Sequence, residues 1–487
     1  MRNSVFRHRL LGLTAAATLC GCSVTPDYVR EAPPVPAAWP EELAAAIPAT
    51  PKLAPLTEDS WRSFFTEAPL QALIANALEH NRDQRLAAAR LLEARALLAG
   101  TDADRWPQID VIGQRNAAHN PSNTNTVSGT LRTQGQTTQR YDANLTTVYE
   151  LDFWGRLASL NDAARANYLA SDFARRNLRL ALIADVASAY FALNELYGRE
   201  YLLKQTLASR QISRDLMRQR RDVGLATEMD YFASESAWQA ARAEAAGGSR
   251  LRAAAENALR VLTGKEPQWS DLRSGIPSAD GDASTLLVLN GLPRFPTVAI
   301  DLPAEALLRR PDVQAAEQKL LAANANIGAA RAAFLPRISL TAAAGTASAG
   351  LSGLFATGSG AWTFIPSLKL PLFDGGKHDA DLDIAKARRV QAVAEYERSL
   401  QQAFREVADV LTTIKYGAQQ VDAVYQSGDR QLARVKLVEA RFQAGIANAL
   451  ELHDARREAF AAQLAQLGAC RQTAIAAAAA FRALGGV

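Results

Sequence analysis

Catalysis needs a nucleophile beside a base, converging carboxylates, a metal-ligand cluster or a phosphate cradle, and this 487-residue chain is poor in all four. It contains neither GxxxxGK(S/T) nor GxSxG, and its five histidines (His8, His80, His119, His378, His453) lack metal-ligand spacing. An envelope hydrolase is thereby left without machinery. Two features remain that could do chemistry or handle charge. One is the thiol of Cys22 at the end of an apolar run. The other is Leu450-Glu451 with Asp454, where three and four residue spacings put the two acids and the leucine on one helix face. A solvated surface helix would show the same spacing, so the elements that carry these residues must decide.

The first element is the amino terminus. Arg2, Arg7, His8 and Arg9 precede the apolar run from Leu10 to Leu19, which is an export signal by its layout. As a helix that run would rise only ~15 Å against a ~30 Å bilayer interior, so it is too short for a lasting membrane span. No other stretch reaches ~18 uninterrupted apolar residues, which removes transmembrane helices from consideration. Leu19-Cys20-Gly21-Cys22 is similar to a bacterial lipobox, in which Cys22 would carry the lipid as a covalent diacylglycerol with a further fatty acyl chain. Ser23 beside it fits passage to the outer membrane. Lys plus Arg number 54 and Asp plus Glu 50, and losing Arg2, Arg7 and Arg9 with the signal leaves a net charge of +1. Such a balance gives no field for nucleic acid. Cleavage at Cys22 leaves Cys470 alone, so no intrachain disulfide is expected.

Behind the signal (1–21) come eight prolines between Pro26 and Pro55, which predict an extended, acylated strap over residues 22–60. From Trp61 onward the chain is duplicated. Arg220-Arg221-Asp222-Val223-Gly224-Leu225-Ala226 aligns with Arg441-Phe442-Gln443-Ala444-Gly445-Ile446-Ala447, and Gly264 with Gly485, at an offset of 221. Asp83, Leu91, Leu92, Ala96, Pro107 and Ile109 align with Asp312, Leu320, Leu321, Ala325, Pro336 and Ile338 at an offset of 229. The expected halves are 61–264 and 304–487, each reading helix, two strands and long helices, joined by a linker at 265–303 rich in Gly, Pro, Asp and Ser. In the second half Val393, Tyr396, Leu400, Ala403, Val407, Val410 and Ile414 follow a 3-4 spacing that continues to Phe442. This is the seam of coiled-coil packing, and a soluble bundle would carry it equally well.

The strands separate those options further. Tyr141, Ala143, Leu145, Thr147, Tyr149 and Leu151 alternate with Asp142, Asn144, Thr146 and Glu150, and Ile109, Val111 and Gly113 follow the same period. Ile338, Leu340, Ala342, then Trp362, Phe364, Leu368 and Leu370, repeat it in the second half. The segments 116–138 and 346–360, rich in Asn, Ser, Thr and Gly, read as exposed loops. One apolar and one polar face on strands of about ten residues suits a membrane β-barrel. A span in lipid tolerates no open edge, and four strands cannot close when the smallest barrels use about eight, so several chains must share one wall. Two small hairpins packed on helices in a soluble protein would alternate likewise.

With these residues in view, the chain resembles the TolC-type outer-membrane factors, in particular the lipoprotein branch of tripartite efflux systems. The resemblance is carried by Cys22-Ser23-Val24-Thr25-Pro26-Asp27-Tyr28 and Tyr149-Glu150-Leu151-Asp152-Phe153-Trp154-Gly155-Arg156. In the second half it is carried by Leu307-Leu308-Arg309-Arg310-Pro311-Asp312-Val313, by Ala322 to Arg331, by Pro371-Leu372-Phe373-Asp374-Gly375-Gly376 and by Ala483-Leu484-Gly485-Gly486. It implies a mixed α and β membrane protein, a homotrimer with a 12-stranded barrel, four strands per chain, continued by an α-helical tunnel. The implied function is passive conduction from a periplasmic adaptor and an inner-membrane transporter of the resistance-nodulation-division kind to the outside. No reaction and no cofactor are implied beyond the lipid on Cys22.

The resemblance also assigns sites. The tips that would meet the adaptor are Gly224, Leu225 and Ala226, and Gly445, Ile446 and Ala447. Leu450, Glu451 and Asp454 match the leucine and acidic rings of the closed periplasmic mouth, where threefold symmetry would concentrate negative charge and disfavour anions. The family's founding member latches this mouth by polar links from Tyr and Arg to Asp. Here Phe442 and Ala447 stand at the first two positions and only Asp230 keeps its acid, so closure is expected from apolar contacts and the acidic ring. A duct for type I protein secretion and a pore-free periplasmic lipoprotein scaffold are the alternatives.

Overall fold

The structure, a computed structural model, describes residues 24–30, 34–36, 60–120, 136–269 and 307–486. Cys22, most of the proline-rich strap and most of the 265–303 linker therefore lie outside the described residues. The elements run α1 Ser60–Phe64, α2 Ala68–His80, α3 Arg82–Ala103, β1 Gln108–Asn120, β2 Gln136–Leu151, α4 Arg156–Asp222 and α5 Glu228–Thr263. They continue with α6 Pro311–Ala332, β3 Arg337–Ser348, β4 Gly360–Lys369, α7 Lys377–Gln443 and α8 Ala449–Ala483. Helices α4 and α7 have 67 residues each, and α3 and α6 have 22 each. At 1.5 Å per residue the 67-residue helices run ~100 Å, longer than the seam alone required.

The chain forms two compact units, and both halves of the sequence contribute to each. Unit 1 comprises Met1–Glu31, Leu91–Ser171 and Ala316–Tyr396, and unit 2 the remainder. Unit 1 holds one antiparallel sheet in the order β1-β2-β3-β4. Its register sets Ile109 opposite Thr147, Val111 opposite Leu145, Leu151 opposite Ile338, Leu340 opposite Pro366 and Ala342 opposite Phe364. Directly paired residues share a face, so the alternating apolar sets of all four strands merge into one apolar surface. That surface is bare: Val111 is 83% and Trp362 78% exposed. Asp110, Asp142, Glu150, Ser339, Ser367 and Lys369 occupy the other face, where Glu150 holds both Arg156, at 2.9 Å, and Arg337. The outer edges of β1 and β4 have no strand beside them among the described residues.

Both strand pairs run past the predicted loop boundaries. The ladder extends from Asn116 opposite Arg140 to Asn120 opposite Gln136, and β3 and β4 reach Ser348 and Gly360. Polar composition had suggested loop there, but backbone pairing is indifferent to side-chain polarity and polar cross-strand pairs support it. His119 Nδ1 lies 2.9 Å from Thr137 Oγ1, and Arg115 Nη2 donates to Gln139 Oε1 at 3.3 Å.

Unit 2 is held by a core of Trp61, Phe65, Leu70, Leu73 and Ile74 against Ile183, Val186, Leu193, Leu259 and Phe481. Helix α4 has a stretch apolar enough to cross a membrane by composition, half of it buried in the protein, as befits a core helix. Along α7 the seam is buried in its first part, at Tyr396, Leu400, Ala403, Val407 and Val410, and again at Val438, whereas Phe442 at its end is 40% exposed. Gly428 is small because Gln466 of α8 lies where a Cβ would stand, its Nε2 only 2.0 Å away. Arg310, 3% exposed, donates to Asp312, to Glu406 at 2.7 Å and to the Ala483 carbonyl at 2.9 Å.

Candidate functional sites

The hairpin turns of unit 2 are built alike. Gly224 and Gly445 adopt φ of 76° and 73°, the left-handed region that glycine enters without Cβ strain. Gly224 N donates to Arg221 O at 2.9 Å and Leu225 N to Arg220 O at 2.8 Å. Gly445 N and Ile446 N repeat this with Phe442 O and Arg441 O at 3.0 and 2.8 Å. These are paired Schellman closures. They leave Leu225 and Ile446 projecting, 70% and 71% exposed.

The next helices start on side-chain caps. Thr227 Oγ1 accepts from Asp230 N at 3.2 Å while the Asp230 carboxylate accepts from Thr227 N at 3.1 Å and Thr227 Oγ1 at 2.7 Å, a reciprocal capping box. The hydroxyl and amide of Thr227 hold the Asp230 carboxyl below its ordinary range. Asp230, expected at the mouth, is thus engaged in its own helix start. Asn448 caps α8 by accepting from Glu451 N at 2.8 Å. Glu451 pairs with Arg441 at 2.7 Å and Asp454 with Arg457 at 3.3 Å. The two acids do share a helix face, but each has an arginine of its own chain. Such exposed pairs contribute roughly 0–1 kcal/mol and yield readily to a passing cation or a second acid.

Phe442, Leu450 and Leu452 of one hairpin and Leu216, Met217 and Leu225 of the other line a groove of about 700 Å³ between the hairpins. Apolar side chains thus line the groove, with Phe442 40% and Leu450 69% exposed. A polar link that sequence reasoning missed lies beside them: Arg210 of α4 approaches Nδ1 of His453 on α8 at 3.2 Å. Burial, then the charges of Arg210 and Arg456, push His453 down from its ordinary value, with Asp454 opposing. A neutral imidazole accepting from the guanidinium fits that environment. Nearby, Arg456 pairs with Glu439 of α7.

In unit 1 the residues just beyond Cys22 lie along α6. Arg30 grips Glu317 with two bonds of 2.7 and 2.9 Å, and Tyr28 Oη donates to the same carboxylate at 3.3 Å. Burial, then Glu317, push the Tyr28 hydroxyl up to about 12. Asn324 donates to Pro26 O at 2.7 Å and Arg331 to Val24 O at 3.3 Å, while Thr25 Oγ1 lies 3.0 Å from Ser159 Oγ over Gly328. Glu317, Asn324, Gly328 and Arg331 are spaced 7, 4 and 3, one face of the helix, so α6 is a track for the strap. Part of the motif from Ala322 to Arg331 is this seat. Cys22 is two residues beyond the last described contact.

A sheet with one bare apolar face and two open edges, on a chain whose other unit presents helical hairpins, defines an outer-membrane channel subunit. The comparisons agree. The outer membrane efflux protein profile matches residues 73–265 and 302–486, and the chain belongs to that family. It is 39% identical over 478 residues to outer membrane protein OprJ of Pseudomonas aeruginosa, covering 97% of this chain and 95% of OprJ. It is also 39% identical to the toluene efflux pump outer membrane protein TtgF of Pseudomonas putida, over 93% and 91% of the two chains. The crystal structure of CusC, reported with its transmembrane channel formation, superimposes with a TM-score of 0.77 at 33% identity, over 96% and 100% of the chains.

Proposed function

We propose that three copies of this chain close a 12-stranded barrel in the outer membrane and that their helices form the periplasmic conduit of a tripartite efflux pump. Each copy supplies four strands and one half of a duplicated design in each pair. The duct conducts passively. An adaptor meets the tips at Gly224, Leu225, Ala226, Gly445, Ile446 and Ala447, and an inner-membrane transporter supplies the energy. Lipid on Cys22 anchors each copy. The single observation that carries the reading is the bare apolar face shared by four strands whose outer edges are open, because lipid accepts the face but not the edges.

At the mouth, Leu450 and Phe442 restrict the opening, and Glu451 and Asp454 repel anions despite their arginine partners. Purified protein in a planar bilayer tests this. A steady, cation-selective current is expected, and changing Glu451 and Asp454 together to Ala should raise conductance and remove the cation preference. Silence would favour a pore-free scaffold, and an unchanged preference would remove the acidic mouth.

A further inference from the structure

A second groove between the hairpins of unit 2 has chemistry that conduction does not use. It is bounded by α4, α5, α7 and α8, farther from the turns than the groove at Phe442, and its volume of about 670 Å³ is in the range that holds small organic ligands. Its two ends differ. Along α8 the lining changes from His453, Arg456 and Arg457 to Phe460 and Leu464, and along α4 from Arg210 back to Leu202. Phe460 and Leu464 pack on Leu202 and the buried Leu467, and Leu432 of α7 completes the apolar end.

The basic end is short of negative charge. Arg456 has Glu439 and Arg457 has Asp454, but Arg210, among the described residues, bonds the imidazole of His453 and no carboxylate. The one acid among the lining residues, Glu244 of α5, forms no ion pair with these cations among the described residues. Burial, then the charges of Arg210 and Arg456, depress His453, so the imidazole feels the same excess of positive charge. Guanidinium forks take the oxygens of a carboxylate, sulfonate or phosphate through paired, charge-assisted bonds, and an oxyanion is therefore the group this end lacks.

We propose that the groove binds an amphiphilic organic anion, its oxyanion head held by Arg210 and Arg456 and its aliphatic or aromatic body laid along Leu202, Phe460 and Leu464. Such a ligand spans α4 and α8, one helix from each hairpin. Both of its parts are needed: a bare inorganic anion leaves the apolar end wet, and an uncharged hydrocarbon leaves the Arg210 guanidinium uncompensated. The charge preference is opposite to that of Glu451 and Asp454, so this is a site apart from the mouth. Every lining residue belongs to unit 2, and the inference stands whether or not the strands of several copies share a barrel.

The probe is naphthalenesulfonate, a soluble aromatic anion, titrated calorimetrically into the purified full-length protein near neutral pH. Saturable binding at one site per chain is expected, with uncharged naphthalenemethanol and inorganic sulfate each about tenfold or more weaker. Arg210→Gln should weaken the sulfonate about 10- to 100-fold, as loss of a charge-assisted bond implies, and leave naphthalenemethanol unchanged. Leu464→Asn should weaken both naphthalenes, and Arg430→Gln, an exposed arginine of α7 outside the groove, should change neither. Should Arg210→Gln fail to fold, the comparison of sulfonate with methanol on the unaltered protein tests the same charge. Absence of saturable binding, equal affinity for the two naphthalenes, or a sulfonate affinity untouched by Arg210→Gln would overturn the site.

Discussion

Gly328 offers the sharpest test of the strap seat, because ordinary helix energetics and the observed packing predict opposite signs. Replacing glycine by alanine inside an exposed helix gains about 1 kcal/mol. Here a Cβ at position 328 would lie 2.0 Å from Thr25 Oγ1, 2.8 Å from Thr25 Cβ and 2.9 Å from Ser159 Oγ. Overpacking of this kind costs about 1–3 kcal/mol, and expelling Thr25 also removes its bond to Ser159, worth about 1 kcal/mol. Gly328→Ala should therefore weaken strap docking by roughly 1–3 kcal/mol, equivalent to about a 5- to 150-fold higher open population. Trypsin reads that population at Arg30, whose guanidinium must leave Glu317 before it can enter the protease. Thr25→Gly alone should loosen the strap modestly, but in the Gly328→Ala background it should restore protection, since two of the three close approaches involve Thr25. A coupling of about 1–3 kcal/mol follows for residues in direct contact. Cleavage of Gly328→Ala at the wild-type rate, or strictly additive effects in the double variant, would refute the seat.

Two further outcomes follow from the sites. Since folded surroundings depress His453, the hairpin contact with Arg210 is complete above its ordinary value of 6.5 and is lost as pH falls through the lower value it has in the folded protein. Conductance should then rise on acidification from about pH 7.5 to about pH 5.5, and a flat response is expected of His453→Gln; equal pH dependence in both proteins would dissociate the imidazole from the mouth. Metabolic labelling with palmitate should disappear in Cys22→Ser, and persistent label would locate the anchor elsewhere.

The strands were the most legible part of the fold, because a period of two survives in composition: Tyr141 to Leu151 and Ile338 to Ala342 sit on the face that alternation assigns them. Their ends were not legible, since Asn116 to Asn120 pair through the backbone and carry no apolar signal. The α7 seam was readable for the same reason as the strands, and the exact burial of Leu400 and Ala403 follows its 3-4 spacing. Asp230 carries a legible signal of its own, since Thr227-x-x-Asp230 at the start of α5 is a capping pattern. The contact between Arg210 and His453 had no such signal, because 243 residues separate them and only the packing of α4 against α8 unites them. The strap seat was half legible: Asn324 and Gly328 stood out as a motif, but their partners Pro26 and Thr25 emerge only in three dimensions.

The duplication also explains a choice of side chains that composition leaves arbitrary. Asn81, just before α3, donates to the Leu262 carbonyl at 2.9 Å in the last turn of α5. Arg310, just before α6, donates to the Ala483 carbonyl at 2.9 Å in the last turn of α8. The donors are 229 positions apart and the acceptors 221, the two offsets of the sequence alignment, so one joint is made twice by different chemistry. A short neutral amide suffices where the chain folds back directly, its Oδ1 also capping α3 through Asp83 N and Gln84 N at 2.8 and 3.1 Å. The buried guanidinium of the second half brings a charge that the interior accepts only when paired, and Asp312 and Glu406 supply the pairing. Arg310 thereby ties α6 to α7 as well as to α8, a third connection that Asn81 cannot make.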